Sequence, residues 1–195
     1  MQNPPENYKT PARVLHWTMA VLVMGMIPVG FLMVNEALSR ELRNMMFISH
    51  KNIGVVLLLL IFIRLVYRWR NPPQLKPVEL APMQEFAAHA THIGLYILLL
   101  VMPLSGYIRV RAGGFPIEAL DAMGIPALVP RSDALAAAAK SVHYYAAYGI
   151  AILIAMHIGA ALYHGLVRKD GIVSRMWPVF SPKTDKAATK LDALT

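Results

Sequence analysis

The chain has 195 residues, of which 56% are apolar and only 15% carry a charge. A water-soluble domain usually carries about a quarter charged residues, so this composition favours one membrane domain. The absence of cysteine excludes disulfides, thiolate metal sites and iron–sulfur clusters. The net charge of +8 is not gathered into a stripe with interleaved aromatic residues, and it therefore does not indicate a nucleic-acid-binding protein.

The first apolar run follows a polar start, MQNPPENYKTPA, and ends without a small-residue cleavage site. We therefore expect it to remain as a membrane helix and not to be removed as a signal peptide. Four segments in all reach the roughly 20 mostly apolar residues that a spanning helix needs. They cover residues 13–35, 44–68, 84–109 and 134–167.

These segments predict an all-α integral membrane protein, a four-helix bundle over residues 8–177 that is followed by a polar, disordered tail over 178–195. When the N-terminus and the tail are placed on one side, that side holds 12 of the 19 Lys and Arg residues. Positively charged loops stay in the cytoplasm, so we expect both termini there and a multi-pass membrane protein. The outer loop, 110–133, carries enough apolar residues to pack over the end of the bundle.

Histidine occurs in every predicted span, seven times in all. An ionisable residue inside a membrane usually has a function, although a histidine can also sit at the headgroup level or bridge two helices. His143, His157 and His164 lie within about 60° of one another on the fourth span, at 100° per residue. Alanines share this face and leave room for a bulky group, and His143 and His157 are about 21 Å apart along the axis.

Depth in the membrane pairs four of the histidines. His50 and His143 lie near the outer surface, whereas His16 and His157 lie toward the cytoplasm. Each iron of a bis-histidine haem takes two axial ligands from opposite sides, and facing helices of a bundle can supply them. Zinc would require three or four ligands at one depth, often with carboxylates, and no acidic residue lies deep in any span. The sequence therefore predicts two haems between the helices.

Four stretches carry a resemblance to a known family. They are RVLHW, SHKNIGVVLLLLIFIRLVYRWRNPP, HATHIGLYILLLVMPLSGY and SVHYYAAYGIAILIAMHIGAALYH. Over residues 8 to about 177 the chain resembles the prokaryotic cytochrome b-561 family of di-haem membrane proteins. The resemblance implies a multi-pass protein of the bacterial inner membrane with two haem b groups, each with one iron. His16 and His157 would hold the cytoplasmic one, and His50 and His143 the outer one.

The resemblance also implies an activity, in which superoxide is oxidised at the outer face and electrons pass to ubiquinone. It places His92 and His164 at the quinone site as catalytic residues, since a histidine can donate hydrogen bonds and protons to a quinone. Together with Lys76, His89 and His92 could form a polar pocket near the cytoplasm, although His89 alone could be an interfacial residue. The long outer loop and the extended tail depart from the family pattern.

The charged residues near the outer haem allow two kinds of electron donor. Lys51, Arg109 and Arg111 make this face positive, which would attract a small anion or an acidic periplasmic protein. Arginines at the helix ends could pair with haem propionates or act as snorkelling anchors; they are Arg13, Arg64, Arg68, Arg109 and Arg111.

The sequence thus predicts a di-haem cytochrome with possible superoxide:ubiquinone oxidoreductase activity. Its partners would be membrane lipid, quinone and the outer donor, and it could form a homodimer. Two alternatives stay open: a haem-bearing electron-transfer subunit without its own activity, and a histidine-lined transporter or structural bundle without haem.

Overall fold

The structure is a computed structural model that describes residues 7–75 and 77–177. Within these ranges the chain forms helices and connecting segments and no β-strand. The five α-helices are α1 (Thr10–Leu32), α2 (Arg40–Arg70), α3 (Pro82–Ala112), α4 (Glu118–Ala122) and α5 (Asp133–Leu162). A π-helical turn, Tyr163–Arg168, continues α5, and a 3-10 turn, Val173–Arg175, lies near the end of the described chain.

Four of these helices are long and apolar enough to cross a membrane: α1, α2, α3, and α5 together with its π-helical turn. The prediction of an all-α protein with four spans is confirmed, and each helix begins and ends within four residues of the predicted span. Many of their large apolar side chains are exposed, as expected for helices that contact lipid tails.

Local sequence signals explain where the helices begin and end. The hydroxyls of Ser39 and Ser132 accept hydrogen bonds from backbone amides at the starts of α2 and α5, which satisfies donors that have no partner within the helix. Pro11 and Pro82 occupy the first turns of α1 and α3, where the missing N–H costs nothing. Two consecutive prolines follow Asn71 and prevent α2 from continuing.

The four long helices pack as α1 on α2, α2 on α3, and α3 along α5. Met19, Val23, Leu57 and Ile61 form a buried cluster where α1 meets α2. Elsewhere the interior is not filled by side chains, because a cavity of about 1140 Å³ lies between all four long helices. The bundle therefore has internal space for a large flat ligand.

The outer loop is more ordered than the sequence indicated, because it contains α4. The Lys51 amine on α2 donates to the Pro116 carbonyl at 2.7 Å and to the Glu118 carboxylate at 2.6 Å. Asn52 donates to the same carboxylate at 3.1 Å and accepts from the Ala119 amide at 2.9 Å. These contacts hold the loop against α2, at the two residues that follow His50.

The expectation that the apolar loop residues pack over the bundle is met only in part. Ile117 and Leu120 are buried, whereas Phe115, Met123 and Leu128 are 65%, 64% and 78% exposed. α4 has only five residues, so only Leu120 of this helix and Ile117 immediately before it are buried. The predicted tail, 178–195, lies outside the described residues.

Candidate cofactor sites

His50 on α2 and His143 on α5 face each other near the outer ends of their helices. Their ring centroids are 6.2 Å apart and the ring planes meet at 77°. A metal ion bound between two imidazole nitrogens at about 2 Å from each would hold the centroids about 6 Å apart. Both rings line the 1140 Å³ cavity. The pair and the space beside it therefore fit one iron with two axial histidines.

Hydrogen bonds from α3 hold the His143 ring in one orientation. His143 Nδ1 donates to the Met102 carbonyl at 2.9 Å, and the Ser105 hydroxyl donates to the same carbonyl at 3.0 Å and lies 3.2 Å from Nδ1. Because Nδ1 carries the proton in this arrangement, Nε2 keeps its lone pair, as a metal ligand requires. A Cβ atom at Gly106 would lie 3.1 Å from His143 Cε1, so glycine makes room for the ring.

The His50 ring is placed differently. A Cβ atom at Gly30 would lie 3.1 Å from His50 Cε1, so a glycine cradles this ring as well. Within the described part of the chain, His50 Nδ1 is buried without a hydrogen-bond partner. Unpaired buried polar atoms are rare, and this one fits a ring that is held by a bond at its other nitrogen.

His16 on α1 and His157 on α5 form a second pair, nearer the helix ends that are predicted to be cytoplasmic. Their ring centroids are also 6.2 Å apart, with planes at 76°. The Arg64 guanidinium lies 3.5 Å from His16 Nδ1 and donates to the Ala12 carbonyl at 3.1 Å. His92 lies on α3, which packs along α5, and its ring centroid is 5.4 Å from that of His157. His157 thus has two histidine neighbours.

The structure therefore brings together both pairs that depth in the membrane predicted, while iron ligation itself stays a prediction. Among the described residues, no three His, Cys, Asp or Glu side chains are grouped as a metal cluster. Both pairs share α5, through His143 and His157, and take their second histidine from α2 or α1.

The two histidines predicted at the quinone site, His92 and His164, contact different neighbours. His164 Nδ1 is 2.6 Å from the Asp170 carboxylate, and within the described chain no hydrogen bond joins it to His92. His89 is exposed and its Nδ1 donates to the Glu85 carbonyl at 3.0 Å, as expected for an interfacial residue. Lys76, which the predicted pocket included, lies outside the described residues.

The outer face is less positive than the sequence indicated. Lys51 pairs with Glu118 and Arg111 pairs with Asp121, each at 2.6 Å. Partial burial works against it, but the hydrogen bond from Lys51 holds the pKa of Glu118 below its usual value, so this carboxylate is charged at neutral pH. Of the three cations that the sequence placed here, Arg109 alone has no ion pair within the described residues, and it lines the cavity.

The model of the prokaryotic cytochrome b561 family matches residues 7–179, nearly nine tenths of the chain. The chain belongs to this family. It is 33% identical over 174 residues to cytochrome b561 homolog 2 of Escherichia coli (strain K12), covering 89% of this chain and 93% of that protein.

Two further relatives are cytochrome b561 homolog 1 of the same organism and the probable superoxide oxidase CybB of Yersinia pestis. The first is 34% identical over 132 residues, covering 67% of this chain and 73% of that protein. The second is 27% identical over 169 residues, covering 84% and 92%. As a member of the cytochrome b561 family, the chain is a multi-pass membrane electron-transfer protein that binds b-type haem.

Several residues that shape the sites of this cytochrome were missed by reasoning from the sequence. They are Gly30, Met102, Ser105, Gly106 and Asp170. For Gly30 and Gly106 the available signal was a glycine at about the same predicted depth as a histidine on another span. The role of the Met102 carbonyl could not be predicted, because a sequence pattern describes side chains and this acceptor is a backbone atom.

Proposed function

We propose that this cytochrome holds two haems and moves electrons across the inner membrane, from a donor at the outer face to ubiquinone at the cytoplasmic face. The observation that carries the proposal is the pair of equal His–His separations, 6.2 Å in both cases. His143 and His157 are 14 residues apart on one helix, which is about 21 Å. Two irons at this spacing would cover most of the hydrocarbon thickness of about 30 Å.

In this proposal each histidine pair has a defined task. His50 and His143 would hold the outer haem, and His16 and His157 the inner one. When bound, the haem irons accept and release single electrons. The protein fixes the axial ligands: the Met102 carbonyl sets the tautomer of His143, and glycine backbones leave both outer rings their space.

For the outer donor we propose superoxide. A relative that covers most of this chain is named a probable superoxide oxidase. Arg109 and Lys140 line the outer cavity, and within the described residues neither has an ion pair, so both charges are available to attract a small anion. The balanced reaction converts two superoxide ions, one ubiquinone and two protons into two molecules of oxygen and one ubiquinol. His92 and His164 would serve the quinone on the cytoplasmic side.

A second candidate is a haem-bearing electron-transfer subunit that serves a protein partner and has no activity of its own. Two features favour it. The two relatives at 33% and 34% identity are named only as cytochrome b561 homologs, and the outer loop exposes Phe115, Met123 and Leu128 beside the outer site. A loop that exposes several large apolar residues is a candidate protein-binding surface. A transporter or structural bundle without haem is set aside, because the family binds haem.

A steady-state assay separates the two candidates. The purified, haem-loaded protein is mixed anaerobically with ubiquinone-1 and potassium superoxide, and quinol formation is followed. We expect quinol to form without any other protein and to be abolished by superoxide dismutase. Intact haems with no quinol would instead support the electron-transfer subunit.

A charge variant tests in the same assay whether superoxide reaches the outer haem past Arg109. Arg109→Gln should lower the rate at limiting superoxide, because a charge inside the cavity is removed. Arg40→Gln is the matched control, since it removes an equal charge from the outer end of α2, where Arg40 does not line the cavity. Equal losses in the two variants would show that only the overall charge matters and would contradict a route past Arg109.

A further inference from the structure

The cytoplasmic end of α5 departs from a regular helix at His164. The chain forms the π-helical turn Tyr163–Arg168, and Lys169 then adopts a left-handed backbone with φ of 53°. The Lys169 amide donates to the His164 carbonyl at 2.8 Å and closes the turn. Both the π turn and a non-glycine residue in this region are uncommon and are found often at functional sites. This backbone path brings the side chain of Asp170 next to that of His164.

Asp170 and His164 form a close, shielded pair. His164 Nδ1 is 2.6 Å from one carboxylate oxygen of Asp170, and the two side chains are only 13% and 14% exposed. The other carboxylate oxygen accepts from the Ile172 amide at 3.3 Å. Burial opposes the shift, but the hydrogen bond from His164, with others, keeps the pKa of Asp170 below its usual value. The carboxylate is therefore charged at neutral pH.

Arg168 ties this pair to the start of α3. Its Nε lies 3.2 Å from the same oxygen of Asp170 that meets His164. Its two terminal nitrogens donate to the Gln84 side chain at 3.1 Å and to the Glu79 carbonyl at 3.5 Å. Asp170 is thus held from two sides, and its position relative to His164 is set by α3 as well as by α5.

This arrangement has a chemical consequence for His164. A carboxylate at Nδ1 selects the tautomer with the proton on Nδ1, so that Nε2 is free to take up a proton, and it stabilises the imidazolium that results. The imidazolium can then give the Nε2 proton to an acceptor and return to the neutral form. A histidine that is oriented by a buried carboxylate is a recurrent arrangement for acid–base catalysis.

We propose that Asp170 is a positioning residue that prepares His164 to deliver protons to the quinone. The proposal rests on the proposed function, since it assumes that quinone is reduced at the cytoplasmic face. In each transfer the Nε2–H bond of the imidazolium breaks and an O–H bond forms on the reduced quinone. A proton from the cytoplasmic solvent then restores the imidazolium, and two transfers complete one quinol.

Two variants distinguish a purely structural role of Asp170 from a role that acts through His164. If the carboxylate serves only to hold the chain end against α3, then Arg168→Gln and Asp170→Asn should have similar effects, because each removes one end of the same ion pair. If Asp170 acts through His164, then Asp170→Asn should be much the more severe of the two. It should also have no further effect once His164 is gone.

The kinetic test uses the full-length, haem-loaded protein, reduced with dithionite, freed of excess reductant and mixed anaerobically with ubiquinone-1. The rate of haem reoxidation is measured against quinone concentration. We expect Asp170→Asn to lower the maximal rate about tenfold or more, with the half-saturating quinone concentration unchanged. Arg168→Gln should retain most of the rate, and Asp170→Glu should restore part of it. His164→Gln/Asp170→Asn should be no slower than His164→Gln.

A second readout needs no quinone. Nitrogen-15 NMR of histidine-labelled, ferrous protein reports which ring nitrogen carries the proton, and the His164 signals are identified by their loss in His164→Gln. We expect a protonated Nδ1 in the wild type and a changed tautomer in Asp170→Asn. The same tautomer in both, or an equal rate loss in Arg168→Gln, would overturn the proposal. A wild type that ubiquinone-1 fails to reoxidise would overturn the quinone function instead, while the tautomer would still test the pair.

Discussion

Replacing Gly106 by alanine should weaken the outer haem site without destabilising the protein. The new Cβ would lie 3.1 Å from His143 Cε1 and 3.3 Å from Nδ1, whereas ordinary contacts are about 3.5–4.0 Å. The ring must therefore move by about half an ångström. Such a shift would lengthen the 2.9 Å bond from Nδ1 to the Met102 carbonyl beyond the usual limit of about 3.2 Å, at a cost of about 1 kcal/mol.

A second energy term offsets this cost in the stability of the whole chain. Alanine is favoured over glycine inside a helix by about 0.8–1.0 kcal/mol, so the free energy of unfolding should change little. The weakened hydrogen bond belongs to the His143 ring, which would bind the iron. A loss of about 1 kcal/mol at this ring corresponds to about a fivefold loss of haem affinity. Haem retention in competition with excess apomyoglobin measures this loss, and thermal melting checks the stability.

Gly30→Ala is the matched control. Its Cβ would meet His50 Cε1 at the same 3.1 Å, and it gains the same helix preference. Within the described residues, however, His50 Nδ1 has no hydrogen bond to lose, so the ring can shift at little cost. Equal losses of haem in the two variants, or none in Gly106→Ala, would refute the reasoning that the Met102 hydrogen bond fixes the His143 ring.

Three further predictions follow from the sites and the loop. His157→Ala should lose one haem and keep the other, whereas His92→Ala should keep both; a haem-to-protein ratio of two in His157→Ala would contradict the ligand assignment. Because the pKa of Glu118 lies below its usual value, its pairing with Lys51 stabilises the docked loop above the usual carboxyl range and is lost as the pH falls through the folded-state pKa. The rate of hydrogen exchange in α4, corrected for its intrinsic pH dependence, should therefore rise in acid. It should also rise at neutral pH in Glu118→Gln. An unchanged rate in both cases would argue against the role of Glu118 in docking the loop. Both ferric haems should give the strongly anisotropic EPR signal of near-perpendicular imidazoles, since the ring planes meet at 76° and 77°; a signal typical of parallel planes would count against these pairs.

The spans and the histidine pairs could be predicted because each depends on one helix at a time. An apolar stretch of about 20 residues identifies a membrane helix, and the direction of each helix then gives the depth of every histidine. His50 and His143 are far apart in the sequence, yet depth alone was sufficient to pair them. The four-helix bundle that the structure shows also follows from the four apolar stretches.

The remaining features depend on contacts between distant segments or on irregular backbone. Lys51 appeared to be a free cation at the outer face, because its partner Glu118 lies 67 residues away on a helix too short to show periodicity. The common face of His157 and His164 was inferred for a regular α-helix, but the π-helical turn begins at Tyr163. The structure instead joins His164 to Asp170, six residues later.

The ratio of haem to protein shows whether each of the two histidine pairs holds one haem. The purified protein is assayed for haem by the pyridine haemochrome method and for protein by amino-acid analysis, and a reduced-minus-oxidised spectrum is recorded. We predict two haem b groups per chain and a b-type α-band. A ratio of one, or a spectrum without that band, would show that the two histidine pairs do not each hold a haem b.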